Sequence, residues 1–258
     1  MSRLNILGAR VDAVSFADAV ARVDQYLSEA QPHHIITGNT LMLLDAQHDR
    51  ALRAVLEHSA LVVPESSGIY WASRRLRQPL KEFVPGIDFM LALCRLAAER
   101  GDSIYLLGAK PGVARRAADE LERRFPTLRI VGAEHGYFAA AETGAVIQRI
   151  SVAAPGILFV GMSVPGQEKW IAEHLRALGV RVVMGVGGSF DVLSGNLQRA
   201  PQWMRRLGIE WLYRLMQEPW RWRRIARLPI FALKVLRSTA YRPSLGKGQS
   251  VLKDGPSK

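Results

Sequence analysis

The stretch SIYLLGAKPGVARRAADELERRFPTLRIVGAEHGYF, residues 103–138, reads as a strand, a glycine-containing turn, a helix and a second strand. The same order recurs in GILFVGMSVPGQEKWIAEHLRALGVRVVMGVGGSFDVL, residues 156–193. Each is a βαβ module, which needs parallel strands and a right-handed crossover. Together they point to an α/β class with a mainly parallel sheet. Ligands of such sheets bind beyond the C-terminal strand ends. The turns that matter are therefore GAKPG (108–112), HGYF (135–138), GMSVPGQEK (161–169) and GVGGSFD (185–191).

Upstream, SFADAVARVDQYLSEA (15–30) predicts a helix capped by Ser15, and a strand at about 33–37 leads into a helix over 40–57. LVVP (61–64) reads as the next buried strand. IYWASRRL (69–76) and IDFMLALCRLAAERG (87–101) predict helices, the second closing on Gly101. Downstream, from RAPQWMRRLGIEWLYRLMQEPW onward, the sheet pattern stops. Pro201 and Pro219 suit first-turn positions of two helices, and Met204, Leu207, Trp211, Leu212 and Leu215 are expected to share one helical face with arginines between them. The tail from Pro243 has a disordered composition.

The 258 residues allow one large core or two small ones. The formal net charge is +12, and its placement says more than its size. Between Arg199 and Arg242 stand eleven lysines and arginines against two acids, Glu210 and Glu218, and four of the six tryptophans. The chain thus divides into an α/β core (1–198), a basic amphipathic helical appendage (199–242) and a tail (243–258). Cys94 is the single cysteine, so no internal disulfide forms, and it reads as a small core side chain. The segment MSRLNILGARVDAVSF lacks the pattern of a secretory leader, and no apolar run is long enough to span a bilayer. The expectation is a protein that is cytosolic or peripheral to a membrane.

Chemistry concentrates in the turns. GVGGSF lacks the last glycine of a dinucleotide signature, and no P-loop is present. Gly187 and Gly188 of that turn are candidates for letting backbone amides approach a phosphate or a sugar, with a tight turn alone as the competing reading; Gly108 and Gly136 are further candidate substrate-binding positions. The chain has no Asp-x-Asp pair, and His33 and His34 would point to opposite faces of a strand, so neither a metal site nor a cofactor is expected. Glu65 follows the strand LVVP directly and would be accessible in a Ser-Ser-Gly turn, where a general base often sits; a helix-capping role is the alternative. His48, His58, His135 and His174 are scattered and read as core or surface residues.

The motifs ITGNTLML, VVPESSGIYWASR, VPGIDFM, YLLGAKPGVA, HGYF, VPGQEKW, GVGGSFDVLSG, RAP and IEWLYRLMQEPWRW, in this order, resemble the WecG/TagA/CpsF family of bacterial glycosyltransferases, from about residue 5 to residue 237. The resemblance implies a Rossmann-like fold, sometimes called GT-E, with helices on both faces of a mainly parallel sheet and a C-terminal appendage near the active site. It implies an inverting, metal-independent transfer from a UDP-sugar donor to a polyprenyl-diphosphate-linked sugar acceptor at the cytoplasmic face of the bacterial inner membrane, with peripheral contact to anionic lipid. N-acetylmannosamine is the family's best-known cargo, and homo-oligomerisation is left open.

Carried over by position, Thr37 and Asn39 match a turn lining the donor pocket, Gln167 a pocket glutamine, and Tyr137 and Asp191 positions near the nucleotide. Arg214, Arg221 and Arg224 match appendage arginines that engage the lipid diphosphate, and Glu65, Thr37 and Gln167 form the expected catalytic set. Two positions depart from the family: Glu65-Ser66 replaces its usual Asp-Gly, and Phe83 stands where it has arginine. The phosphate cation must then come from Lys81 or from the appendage, unless the substrates differ. Three readings compete. A nucleic-acid-binding protein has the basic stripe in its favour, but no reader motif appears and the charge avoids the α/β body, so no nucleic-acid partner is expected. A Rossmann oxidoreductase lacks its full glycine signature. The third is a family member with impaired activity.

Overall fold

The computed structural model describes residues 2–238; Arg242 and the tail from Pro243 lie outside the described residues. An antiparallel hairpin comes first, β1 (Arg3–Ile6) and β2 (Ala9–Asp12), turning through Leu7 and Gly8, both at positive φ. Strands of four residues are too short for alternation to reveal them in sequence. Six parallel strands follow: β3 (His33–Gly38), β4 (Leu61–Pro64), β5 (Ser103–Gly108), β6 (Arg129–Glu134), β7 (Ile157–Gly161) and β8 (Val182–Gly185). Their order across the sheet is β4-β3-β8-β7-β5-β6.

That order decides which face each helix covers. Helices Gly86–Arg100 and Val113–Arg124 lie on crossovers running from β4 towards β6, and pack with Phe16–Leu27 over Ile35, Leu61, Leu106, Phe159 and Met184. The crossovers running the other way carry Arg50–His58, Thr143–Ala153 and Gly166–His174, which cover Ile36, Val62, Leu107, Leu158 and Val183 on the opposite face. A single crossover hand requires this two-sided layering.

The hairpin is fastened to the β4 edge by a buried ion pair. Arg10 Nη2 lies 2.8 Å from Asp12 Oδ2, and Arg10 Nη1 donates to the carbonyls of Glu57 and Ser59. Asp12 Oδ2 in turn accepts from Val62 N at 2.8 Å, closing a backbone donor that an edge strand would otherwise leave open.

Several expectations are met closely. Ser15 caps Phe16–Leu27 in a reciprocal capping box with Asp18, and Gly101 ends its helix at φ 75. Cys94 is fully buried, and burial pushes its thiol up. The helix expected over 40–57 is instead two, Thr40–Asp45 and Arg50–His58, because the Asp49 side chain accepts from Leu52 N at 3.0 Å and starts a new helix there.

The appendage also differs from its reading. Gly208 at φ 70 breaks it into Gln202–Arg206 and Glu210–Gln217, so the supposed apolar face is not continuous: Met204 is buried, while Leu207, Trp211 and Leu212 are exposed. Pro201 sits at the N-cap rather than in the first turn, whereas Pro219 begins a 3-10 turn that leads into Trp222–Ile225. The last helix, Leu228–Arg237, returns to the body and buries Phe231 and Val235 beside Met42, Ile69 and Ala72.

Candidate active site

β5 sends its chain towards β6 and β7 sends its chain towards β8, so the strand order reverses between them, and it is beyond the C-terminal ends at such a reversal that open α/β sheets place a ligand crevice. Gly108, at φ 144, ends β5 so close to β7 that a Cβ would overlap the Gly161 backbone. Gly136 in the turn after β6 donates to Ala109 O at 3.0 Å and leans back over the same point. Both glycines thus sit where neighbouring backbone approaches closely.

Across the crevice stands Glu65. Its backbone N donates to Gly38 O at 2.9 Å, which fixes it beyond the ends of β3 and β4. It does not cap the following helix, because Ser66 does, accepting from Ile69 N. Its carboxyl instead receives the backbone N–H of Gly86, at the start of Gly86–Arg100, and the hydroxyl of Thr37. A side chain at Gly86 would overlap Glu65 Oε1, so only glycine admits the carboxyl there.

Opposing effects act on that carboxyl. Burial, then repulsion from Glu168 and Glu210, disfavour its ionised form; the Gly86 N–H and the Thr37 hydroxyl favour it. The first group wins, and Glu65 is pushed up from 4.5 to about 7. The residue is partly exposed, but its carboxyl is enclosed between the strand ends and the Gly86 backbone, so the accessible group expected in that turn is a buried one. Perturbed acids in clefts are characteristic of proton-transfer sites.

Thr37 is buried, and its Oγ1 lies 3.3 Å from the carbonyl oxygen of Gly185, at the end of β8. Gln167 is also buried. Its Oε1 accepts from Met162 N at 3.0 Å and Gly187 N at 3.1 Å, joining the turns after β7 and β8, so its amide braces the crevice from behind. Asn39 commits its Oδ1 to capping Thr40–Asp45, accepting from Met42 N at 3.1 Å. Asp191 lies partly exposed in the short helix Ser189–Leu193 that follows β8.

Tyr137 is 66% exposed. With Glu134, His135, Phe138 and Arg149 it lines a separate shallow pocket at the β6 edge. β4 and β6 are five strand spacings apart, about 24 Å in an untwisted sheet, so Tyr137 and Glu65 mark opposite ends of the crest rather than one tight cluster.

The appendage meets this line of turns at two points, after β4 and after β8. Ser67 donates to Gly208 O at 2.8 Å beside Glu65, and the Arg214 guanidinium lies against Gly188, 2.9 Å from where a Cβ would stand. Arg199 grips Asp88 with two hydrogen bonds of 2.7 and 2.5 Å, in the first turn of the helix whose N-terminus holds Glu65. Arg214 and Arg221 both pair with Glu218, and Arg221 is disfavoured as a cation by burial and by its neighbours Arg214 and Arg224. Two guanidinium groups on one carboxylate, with Arg224 close enough to act on Arg221, leave a positive excess suited to an anion with several oxygens. Of the two cation sources considered for the Phe83 departure, Lys81 is engaged elsewhere, 3.6 Å from Asp18, and Phe83 itself packs edge-on to Tyr70.

Sequence reasoning assigned no role to Glu168, Glu210 or Arg199, although the motifs containing all three were in view. The signal was the Glu next to Gln167 and the Arg of RAP; what was missing was the partner, supplied from far along the chain by His34 and Asp88. His33 and His34 do face opposite ways: His33 stacks on Tyr26, while His34 lies 2.9 Å from Glu168. Among the described residues no three His, Cys, Asp or Glu side chains converge as a metal-binding group.

Comparison with known proteins places this geometry in context. The model of the glycosyl transferase WecG/TagA/CpsF family matches residues 4–244. An N-acetylglucosaminyldiphosphoundecaprenol N-acetyl-beta-D-mannosaminyltransferase of Bacillus subtilis (strain 168) is 34% identical over 233 residues, 90% of each chain. A protein with the same description from Staphylococcus aureus (strain MRSA252) is 33% identical over 242 residues, 92% of this chain and 93% of its own.

Proposed function

The chain belongs to the WecG/TagA/CpsF glycosyl transferase family, and from that premise we propose that it transfers an N-acetylmannosamine-type sugar from a UDP-sugar to an undecaprenyl-diphosphate-linked N-acetylglucosamine, with inversion and without a metal. The relatives carry that acceptor and that sugar in their descriptions. The observation that carries the reading is the Glu65 carboxyl: buried at a helix N-terminus beyond the ends of β3 and β4 and raised to about 7.

The chemistry is a single displacement. The acceptor hydroxyl oxygen attacks the anomeric carbon, the bond from that carbon to the UDP oxygen breaks with its electron pair, and the hydroxyl proton passes to Glu65. The single hydrogen of the Thr37 hydroxyl supports this exchange. It turns to Glu65 while that group is ionised, and to Gly185 O once Glu65 holds the proton. Gly187, Gly188 and Asp191 offer the turn after β8 to the donor, with Asn39 and the turn after β5, ending at Gly108, beside it. Tyr137 and Gly136 take the nucleotide end, which uses the length of the crest. Charge developing on UDP is met by Arg214, Arg221 and Arg224, and one well-placed donor of this kind is typically worth about 3 kcal/mol.

The appendage supports a reversible seat on the cytoplasmic membrane face. No helix among the described residues is long and apolar enough to cross a membrane, yet Trp203, Met216, Trp220, Trp222, Leu233 and Leu236 are all exposed beside the arginines. Tryptophan with arginine suits the headgroup level, where each basic residue adds about 1 kcal/mol on an anionic leaflet. A panel of UDP-sugars, each with a polyprenyl-diphosphate-linked N-acetylglucosamine and scored for UDP release, tests the proposal. Release confined to UDP-N-acetylmannosamine supports it, and release with no member of the panel refutes it.

A further inference from the structure

Behind the crevice lies a fully buried carboxylate that the displacement does not use. Glu168 has no exposed surface and Gln167 almost none. Glu168 Oε1 accepts from Gln167 Nε2 at 2.7 Å, and Glu168 Oε2 lies 2.9 Å from His34 Nε2 on β3.

We propose that Glu168 is a positioning residue for the transfer: it holds the Gln167 amide in the one orientation that clamps the turns after β7 and β8, and thereby sets the seat of Thr37 and Glu65. This rests on the glycosyl-transfer reading of the crevice. The argument is one of donor and acceptor counting. With its oxygen towards Met162 N and Gly187 N and its NH2 towards Glu168, the Gln167 amide makes three hydrogen bonds. Rotated by half a turn, it would set its NH2 against two N–H groups and its oxygen against a carboxylate, and all three bonds would be lost. An acceptor at position 168 adds a third bond to the two backbone N–H groups that disfavour that alternative.

The connection to the reacting groups is short. A Cβ on Gly185 would overlap both Gln167 Nε2 and Glu168 Oε1, so these side chains press directly on the β8 terminus. The carbonyl of that same glycine meets the Thr37 hydroxyl, which in turn meets Glu65. Glu168 also repels the ionised form of Glu65. The other groups facing Glu65 are Glu210 on Glu210–Gln217, the Gly86 N–H on Gly86–Arg100 and Thr37 on β3.

The test compares Glu168→Gln and Glu168→Leu in the full chain, reading kcat and KM across pH together with the titration of the Glu65 side-chain carboxyl carbon by NMR, assigned with Glu65→Gln. Glu168→Leu, which has no acceptor, is expected to lower kcat about 100-fold with little change in KM, as small misplacements at a reacting centre do. Glu168→Gln, which can still accept from Gln167, recovers most of that loss. With one like charge removed, its Glu65 titration and the acid limb of its pH profile both move to lower pH. An unmoved Glu65 titration in Glu168→Gln, or wild-type kcat in Glu168→Leu, overturns the proposal. If the leucine variant does not fold, the titration of the glutamine variant decides alone. If the wild type transfers no sugar, the function proposed above fails, while the titration still reads the coupling independently of turnover.

Discussion

Glu65→Gln keeps the length of the side chain and an acceptor for the Gly86 N–H while removing the ionisable group. A carboxyl raised from 4.5 to about 7 on folding carries a linkage free energy of about 3 kcal/mol, at roughly 1.4 kcal/mol for each tenfold change in proton affinity. Its sign follows from proton uptake. Between these two values the folded chain binds the proton and the unfolded chain does not, so folding is favoured most at the acid end and that contribution is lost as pH rises through 7. Glutamine carries no such dependence. Urea unfolding of both proteins between pH 4 and pH 8 should therefore show wild type losing about 3 kcal/mol relative to Glu65→Gln. The variant becomes the more favoured partner at alkaline pH while its turnover is abolished. In parallel, wild-type kcat/KM should rise about tenfold per pH unit up to about 7 and then level off, because only the ionised carboxylate accepts the acceptor's proton. A stability difference that stays flat with pH, or an acid limb near 4.5, would refute the placement of Glu65 among Glu168, Glu210 and the buried strand ends.

Other outcomes follow from the same geometry. Trp220→Ala with Trp222→Ala should weaken sedimentation with anionic liposomes and leave the melting temperature unchanged, since both side chains are exposed. Deleting the whole appendage is a poorer test, because it also strips Phe231 from the core, where loss of a phenylalanine costs about 3–5 kcal/mol. Arg199→Ala should speed proteolytic cleavage near residue 199, because Asp88 loses a two-point partner, and a pair this exposed contributes up to about 1 kcal/mol. The exchange Arg199→Asp with Asp88→Arg should restore resistance. Gly108→Ala should lower the melting temperature sharply, as its φ of 144 is strained for alanine and its Cβ would enter the Gly161 backbone.

Much of the site was legible because its signals are local. The strand–turn–helix order of 103–138 and 156–193 survives as β5 to β8, and the four turns named from it do stand at one end of the sheet. Glu65 was legible because a carboxylate directly after a buried apolar run has nowhere to go but the strand end. The unbroken helix over 40–57 was misread because a single cap, Asp49, outweighs an apolar period that continues across it. The apolar face from Met204 to Leu215 was misread because one glycine at positive φ reorients everything after it.

Periodicity, turn residues and the clustering of arginine with tryptophan by themselves determined the α/β class, the crevice end of the sheet and the basic character of residues 199–242, because each depends on neighbours a few positions apart. Only the tertiary structure decided how those pieces act on one another: that Gly86 and Thr37 hold Glu65 against two other carboxylates, that His34 reaches Glu168 across 134 positions, and that Arg199 reaches back to Asp88. The physical reason is range. Backbone preference acts over a turn or two of chain, whereas burial and charge act over a few ångströms of space, and strand order alone brings such distant residues within that reach.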